Sequence, residues 1–166
     1  GYRYDYPNYA MFIPSDVSVF REGMESPGRV ADFEVDDNLM AQAEAAAKDL
    51  ELFDAYGDEA TILLGGVGGS GNIFMDNAEF RRYMRSTWKS DSVDMESTAV
   101  AQVCWTNQVP FLIVRALSDL AGAQEGLNEL PEYADNAWGN AGRLVDAILQ
   151  EMAENITVLE KTIEKD

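Results

Sequence analysis

Apolar positions along the chain change period several times, and each change predicts an element. Leu39, Met40, Ala43, Ala46, Ala47 and Leu50 follow helical spacing behind Asp36 and Asp37, whose charges suit a helix N-terminus. Residues 77–88 predict a helix of mixed charge, and Ala99, Val100, Val103 and Cys104 mark a further helix over residues 96–107. The longest helix carries Trp138, Ala141, Leu144, Val145, Ile148, Leu149, Met152, Ile156 and Leu159 on one continuous apolar face, followed by a charged tail. Short β-branched or alternating runs predict strands at residues 16–20, 61–64, 92–95 and 110–118, the last opened by Pro110 and stopped at Ser118-Asp119. Strands alternating with helices imply a largely parallel sheet covered on both faces, the α/β class. The first thirty residues, rich in Tyr, Pro and Gly, and residues 120–130 read as loop. No internal repeat or linker interrupts the pattern, so the expectation is a single domain over residues 1–166.

Composition narrows the class. Hydrophobic residues make up 46% of the chain, with three Trp, seven Tyr and seven Phe, the profile of a globular protein. No apolar run approaches bilayer length, and no signal peptide is read at Gly1; a soluble protein with no membrane partner is expected, cytoplasmic by default, with a periplasmic or secreted setting as the alternative. Thirty acidic residues against twelve basic ones give a formal charge of −18, which repels phosphate backbones and argues against a nucleic-acid partner. Histidine is absent, which removes Ser-His and Cys-His triads and imidazole metal sites from this chain and leaves carboxylates as the acid/base groups. Cys104 is the sole cysteine and sits on the apolar side of its helix, the place of a core thiol.

Residues 65–71, Gly-Gly-Val-Gly-Gly-Ser-Gly, follow the expected strand at 61–64 as a phosphate cradle does. The Lys-Ser/Thr ending of a P-loop is missing, and Asn72-Ile73-Phe74-Met75 stands in its place, so a nucleotide P-loop is not expected.

Candidate chemistry falls at strand ends. Ligands of open α/β sheets bind beyond the carboxyl ends of the strands, so Asp119 and the similarly placed Glu96 are candidates to share one crevice. Each carboxylate has a plain structural alternative. Asp119 is equally placed to satisfy loop N–H groups, and Glu96 to complement the helix dipole.

Three segments carry a resemblance. The run SVDMESTAVAQVC at residues 92–104 followed by VPFLIVRALSDLAG at residues 109–122, with SGNIFM at residues 70–75 upstream, resembles the purine nucleosidase and phosphorylase family, and within it the methylthioadenosine/S-adenosylhomocysteine nucleosidases. The resemblance implies a three-layer α/β sandwich with a mostly parallel or mixed central sheet. It implies hydrolysis of the N-glycosidic bond of a purine nucleoside with release of adenine, without metal or organic cofactor. Asp119 would donate a proton to purine N7, with Ser118 beside it as orienter. Glu96 would hold the ribose hydroxyls, Met95 would pack on the sugar, Phe74 would stack on the base, and the Met75 backbone would read the purine edge. Such chemistry asks for a proton-holding acid at the base and an ionised carboxylate at the sugar, a division of labour that a pair of carboxyls in unlike surroundings supplies.

The likeness covers the later part of that family's domain. Residues 1–19 resemble a mid-domain stretch, so the chain is expected to be a C-terminal portion without the glutamate that activates water, and with an apolar sheet edge that calls for a partner. A homodimer or a separate N-terminal fragment would meet that need. Asp94 stands where nucleosidases often carry glutamate, a variation shared with relatives, storage proteins among them, that keep the fold. Phosphorolysis is the less favoured enzymatic alternative, because no Arg follows Ser118-Asp119 before Arg143. A non-catalytic storage or nucleoside-binding role on the same fold is the alternative outside enzymology.

Overall fold

A computed structural model describes residues 14–122 and 130–163, and the side chains among them up to residue 157, except those of 130–132. Residues 1–13, the loop expected at 123–129, the tail at 164–166 and the side chain of Leu159 lie outside what is described. The chain divides into two compact units, each built from several segments. The first takes in Gly1–Val35, Gly66–Phe111 and Asp119–Asn128, and the second Asp36–Gly65, Leu112–Ser118 and Glu129–Asp166.

The first unit opens with a hairpin. Strands β1 (Val17–Val19) and β2 (Gly28–Val30) pair antiparallel, Ser18 opposite Arg29. At its open end the Arg29 guanidinium grips the Asp16 carboxylate at 2.5 and 2.6 Å. The chain then leans on an indole: the Arg21 guanidinium lies 4.2 Å from the Trp105 ring centre, and Phe33 meets the same ring edge-on. Only the first strand of this hairpin is predicted by alternation. Its partner, Gly-Arg-Val, has one β-branched residue and no apolar rhythm.

Strand β3 (Gly68–Ser70) pairs parallel with β4 (Ser92–Asp94), in the register Gly68↔Ser92, Gly69↔Val93, Ser70↔Asp94. The crossover is helix α2 (Ala78–Tyr83) and a π-helical turn over Met84–Trp88, which ends at Lys89 in the left-handed region. Asn77 caps α2 by accepting the Phe80 N–H at 2.8 Å. Tyr83, stacked on Phe80, and Met84 are buried. Helix α3 (Ser97–Thr106) follows β4 at once and packs on β3, with Ala101 in the core.

The position of β3 overturns the predicted strand at residues 61–64. Among the described residues that run has no ladder partner, and Leu63 is 77% exposed. The hydrogen-bonded strand lies instead inside the glycine-rich segment, where β-propensity argues against it. Close approach of two crossover side chains accompanies the glycine there. A Cβ on Gly69 would stand 2.9 Å from Met84 Cε and 3.1 Å from Ser90 Oγ, so the residue that weakens the strand also admits the crossover against it. Residues 110–118 likewise form no strand and have no ladder partner among the described residues, and Leu117 is 62% exposed. An apolar β-branched run becomes a strand only when a neighbour supplies N–H and C=O groups in register.

In the second unit, helix α1 (Asp37–Ala47) packs against α4 (Leu130–Ile163). Asp36 caps α1, its carboxylate accepting the N–H groups of Asn38 and Leu39 at 3.0 Å. Helix α4 is pinned near both ends of its described side chains. The Tyr133 and Tyr56 hydroxyls meet at 2.7 Å, Asn140 donates to the Phe53 carbonyl at 2.8 Å, and Asn155 donates to the Gln42 side chain at 2.7 Å. Ala134, Ala137 and Ile148 are buried, whereas Trp138, Val145, Leu149 and Ile156 are exposed. The apolar face expected for this helix is therefore wider than the stripe that α1 and its surroundings cover.

This partition sets an expected contrast in stability. Replacing Ile148 by Ala should cost roughly 2–5 kcal/mol in urea unfolding, as truncation in a core does, while Trp138→Ala should stay within about 0.5 kcal/mol. Equal losses at the two positions would contradict the burial described.

Candidate functional site

Because β3 and β4 run in the same direction with Ser70 opposite Asp94, the residues that follow each strand leave from one edge. From β3 come Gly71, Asn72, Ile73, Phe74 and Met75; from β4 come Met95 and Glu96. The Gly71 N–H donates to the Asp94 carbonyl at 3.1 Å and ties the two exits together, and the Ile73 N–H turns back onto the Gly71 carbonyl at 2.6 Å. Phe74 is 51% and Met95 41% exposed, and Met75 is half-buried. Glu96 is exposed and precedes α3 with φ −129° and ψ −28°; its carboxylate makes no capping hydrogen bond, yet it stands at the positive end of the helix.

The cap of α3 comes from Asp94. One carboxylate oxygen accepts the N–H of Glu96 at 3.0 Å and that of Ser97 at 2.9 Å. Partial burial opposes ionisation of this group. The Ser97 hydroxyl and N–H, the Ser70 hydroxyl and the Glu96 N–H outweigh that cost, so the carboxyl is held below its ordinary value near 3.8. At the opposite end of the strand pair, Asp91 accepts the Val67 N–H at 3.0 Å and pairs with Arg85. That N–H, working against desolvation and helped by Arg85, lowers its pKa also.

Asp119 is half-buried at the head of a tight loop. Its carboxylate accepts the Ala121 N–H at 2.9 Å, and Ala121 and Gly122 both have positive φ, 50° and 85°. The loop presses on the start of α2: a Cβ on Gly122 would lie 2.6 Å from the Asn77 nitrogen. The Arg81 guanidinium donates to the Leu120 carbonyl and holds the loop from the other side. Asn77 lies two residues beyond Met75, so the Asp119 loop abuts the end of the Phe74-Met75 segment.

Of the residues singled out in the sequence, Phe74, Met75, Met95, Glu96 and Asp119 thus fall in the first unit, joined by the link from Gly71 to Asp94 and by that from Gly122 to Asn77. Ser118, half-buried, falls in the second unit. The capping role of Asp94, and the parts played by Ser70 and Arg81, emerge from the structure. The Asp-x-x-Ser spacing ahead of an apolar helix is a cap signal that points to Asp94, whereas nothing local in the sequence connects Arg81 with Leu120.

Two outcomes follow. Gly122→Ala combines a forbidden φ with a backbone clash and should cost about 1–3 kcal/mol in denaturant unfolding. A carboxyl whose folded pKa is depressed contributes stability above its unfolded value and loses it as pH falls through the folded one. The advantage of the parent chain over Asp94→Asn should therefore be full above about pH 4–5 and shrink as the solution is acidified below about 3.8. Asp16, which the Arg29 guanidinium lowers to about 2, should give the same trend over a window reaching further into acid. Urea midpoints measured from pH 7 to pH 2 check both, by about that span.

The family model described as the phosphorylase superfamily matches residues 2–150, a stretch that includes every element from β1 through most of α4. Its reach across the strand-end residues and the Asp119 loop shows that the chain belongs to the phosphorylase superfamily, which contains nucleoside phosphorylases and nucleosidases.

Proposed function

We propose that this chain supplies the base- and ribose-binding side of a site that hydrolyses the N-glycosidic bond of a purine nucleoside, methylthioadenosine or S-adenosylhomocysteine, and releases adenine. One observation carries the reading. The parallel pair β3/β4 delivers Phe74-Met75 and Met95-Glu96 to the same edge, and the Asp119 loop is packed against the end of the first of these segments. Phe74 offers an exposed ring for the base and Met75 a backbone edge, while Met95 offers an exposed thioether for the sugar. Glu96 offers a carboxylate for the ribose hydroxyls. As the bond from C1′ to N9 breaks, the electron pair passes to the purine and Asp119 gives its proton to N7; the oxygen of water takes the place of nitrogen on C1′, and the proton that water sheds passes to solvent, from which Asp119 is reprotonated. Ser118 is the orienter of that acid. The two units then belong to one domain with a three-layer α/β sandwich, a reading supported by a family match that runs through both. A dimer, or association with a separate N-terminal fragment, belongs to the same proposal.

Phosphorolysis would need a phosphate site, and the residues after Asp119, Leu120-Ala121-Gly122-Ala123-Gln124, include no cation. A second reading, nucleoside binding without turnover, is favoured by one specific contact. The Asp119 carboxylate already accepts the Ala121 N–H, the role of a structural loop acid.

Adenine release from methylthioadenosine, assayed with and without inorganic phosphate, separates these readings. Hydrolysis should proceed at the same rate in both. Asp119→Asn should lower turnover on the order of 10²- to 10⁴-fold, the worth of a general acid. Undiminished turnover in that variant would remove Asp119 from the chemistry, and calorimetric binding without adenine release would favour the binding protein.

A further inference from the structure

We propose that Asp94 is the positioning residue that sets Glu96 against the base-binding segment, acting on the ribose side of the site through its side chain and on the base side through its main chain. The proposal rests on the ribose role given to Glu96 above.

Asp94 closes β4, and its two polar groups face different neighbours. Its carbonyl accepts the Gly71 N–H at 3.1 Å, which fixes where the Phe74-Met75 segment leaves β3. Its carboxylate accepts the Glu96 and Ser97 N–H groups at 3.0 and 2.9 Å, which fixes where Glu96 leaves β4. Glu96 needs such a hold. Its φ and ψ lie outside the helical region, and its own carboxylate makes no capping bond, so its backbone direction rests on the turn that Asp94 closes. The hydroxyls of Ser97 and Ser70 also donate to Asp94, so the turn is braced from α3 and from β3. Carboxylates that accept several N–H and O–H groups make strong, short-range constraints, and a displacement near 1 Å of a binding group is costly.

Side-chain length matters to this role. Aspartate closes a turn onto N–H groups two and three residues ahead; glutamate, one methylene longer, does not present its oxygen there. Asparagine keeps an acceptor oxygen at the same place. The main-chain bond to Gly71 survives every substitution at this position. The ribose side of the site should thus suffer, and the base side should not.

Titration calorimetry with two probes, methylthioadenosine and free adenine, tests this on the full chain. Asp94→Ala and Asp94→Glu should each weaken methylthioadenosine about tenfold and leave adenine within about twofold, while Asp94→Asn, which keeps the acceptor oxygen in place, should restore most of the loss. Glu96→Gln should weaken methylthioadenosine by itself. In the Glu96→Gln background, Asp94→Ala should add less than about twofold, because the group it positions is already impaired. Additive losses, or equal losses for both probes, would overturn the positioning role while leaving the ribose role of Glu96 in place. If Glu96→Gln leaves methylthioadenosine binding unchanged, or the unaltered chain does not bind it, the ribose reading falls and the positioning role with it. Asp94→Glu, which keeps the charge, decides the matter should Asp94→Ala fail to fold; wild-type affinity in Asp94→Glu would then overturn the proposal.

Discussion

The parallel alignment of Ser70 with Asp94 is the constraint on which the first unit turns. Three residues on each side make a very short ladder, and such a pair holds only when its ends are fastened. Both ends are. Asp91, paired with Arg85, accepts the Val67 N–H at the entry, and Asp94 receives Gly71 and the start of α3 at the exit. The crossover is fastened as well, because the bare Gly69 backbone lets Met84 and Ser90 approach β3 directly. The same bonds that stabilise the strands aim the residues beyond them, so stability and binding geometry share their parts here.

How much of this was legible in the sequence depends on where the physics is local. The four helices are readable because period and capping are local: Asp36 ahead of Leu39 and Asn77 ahead of Phe80 announce starts, and the structure uses both side chains as caps. Strands β1 and β4 are readable for a similar reason. Strand β3 is not, because what selects Gly68–Ser70 over Thr61-Ile62-Leu63-Leu64 is a neighbour more than twenty residues later and a close contact from the crossover. Residues 110–118 make the same point in reverse. Their β-branched composition is that of a strand, but composition does not provide a ladder partner. At the candidate site, the motif residues were identified by resemblance, whereas the groups that brace them, Ser70, Arg81 and the carboxylate of Asp94, depend on contacts between distant segments.

Electrostatics gives the site its character. In a chain of charge −18, Asp94 and Glu96 stand at the exit of the strand pair and Asp119 in the loop that packs on the start of α2. Three cations of the first unit are committed to structure: Arg81 to the Leu120 carbonyl, Arg85 to Asp91, Arg29 to Asp16. Each holds a loop or a strand end in place. Charge in this protein therefore acts mainly at short range, through hydrogen bonds that position the backbone.

The three indoles are divided unevenly between the units. Trp88 donates to the Tyr83 hydroxyl at 3.0 Å and Trp105 lies beneath Arg21, both in the first unit, while Trp138, alone in the second, is 69% exposed. An exposed indole emits much as it does in an unfolded chain, so intrinsic fluorescence of this protein reports almost wholly on the unit that carries the strand pair. Loss of the α1–α4 packing would pass nearly unseen by that light and would need circular dichroism to be noticed.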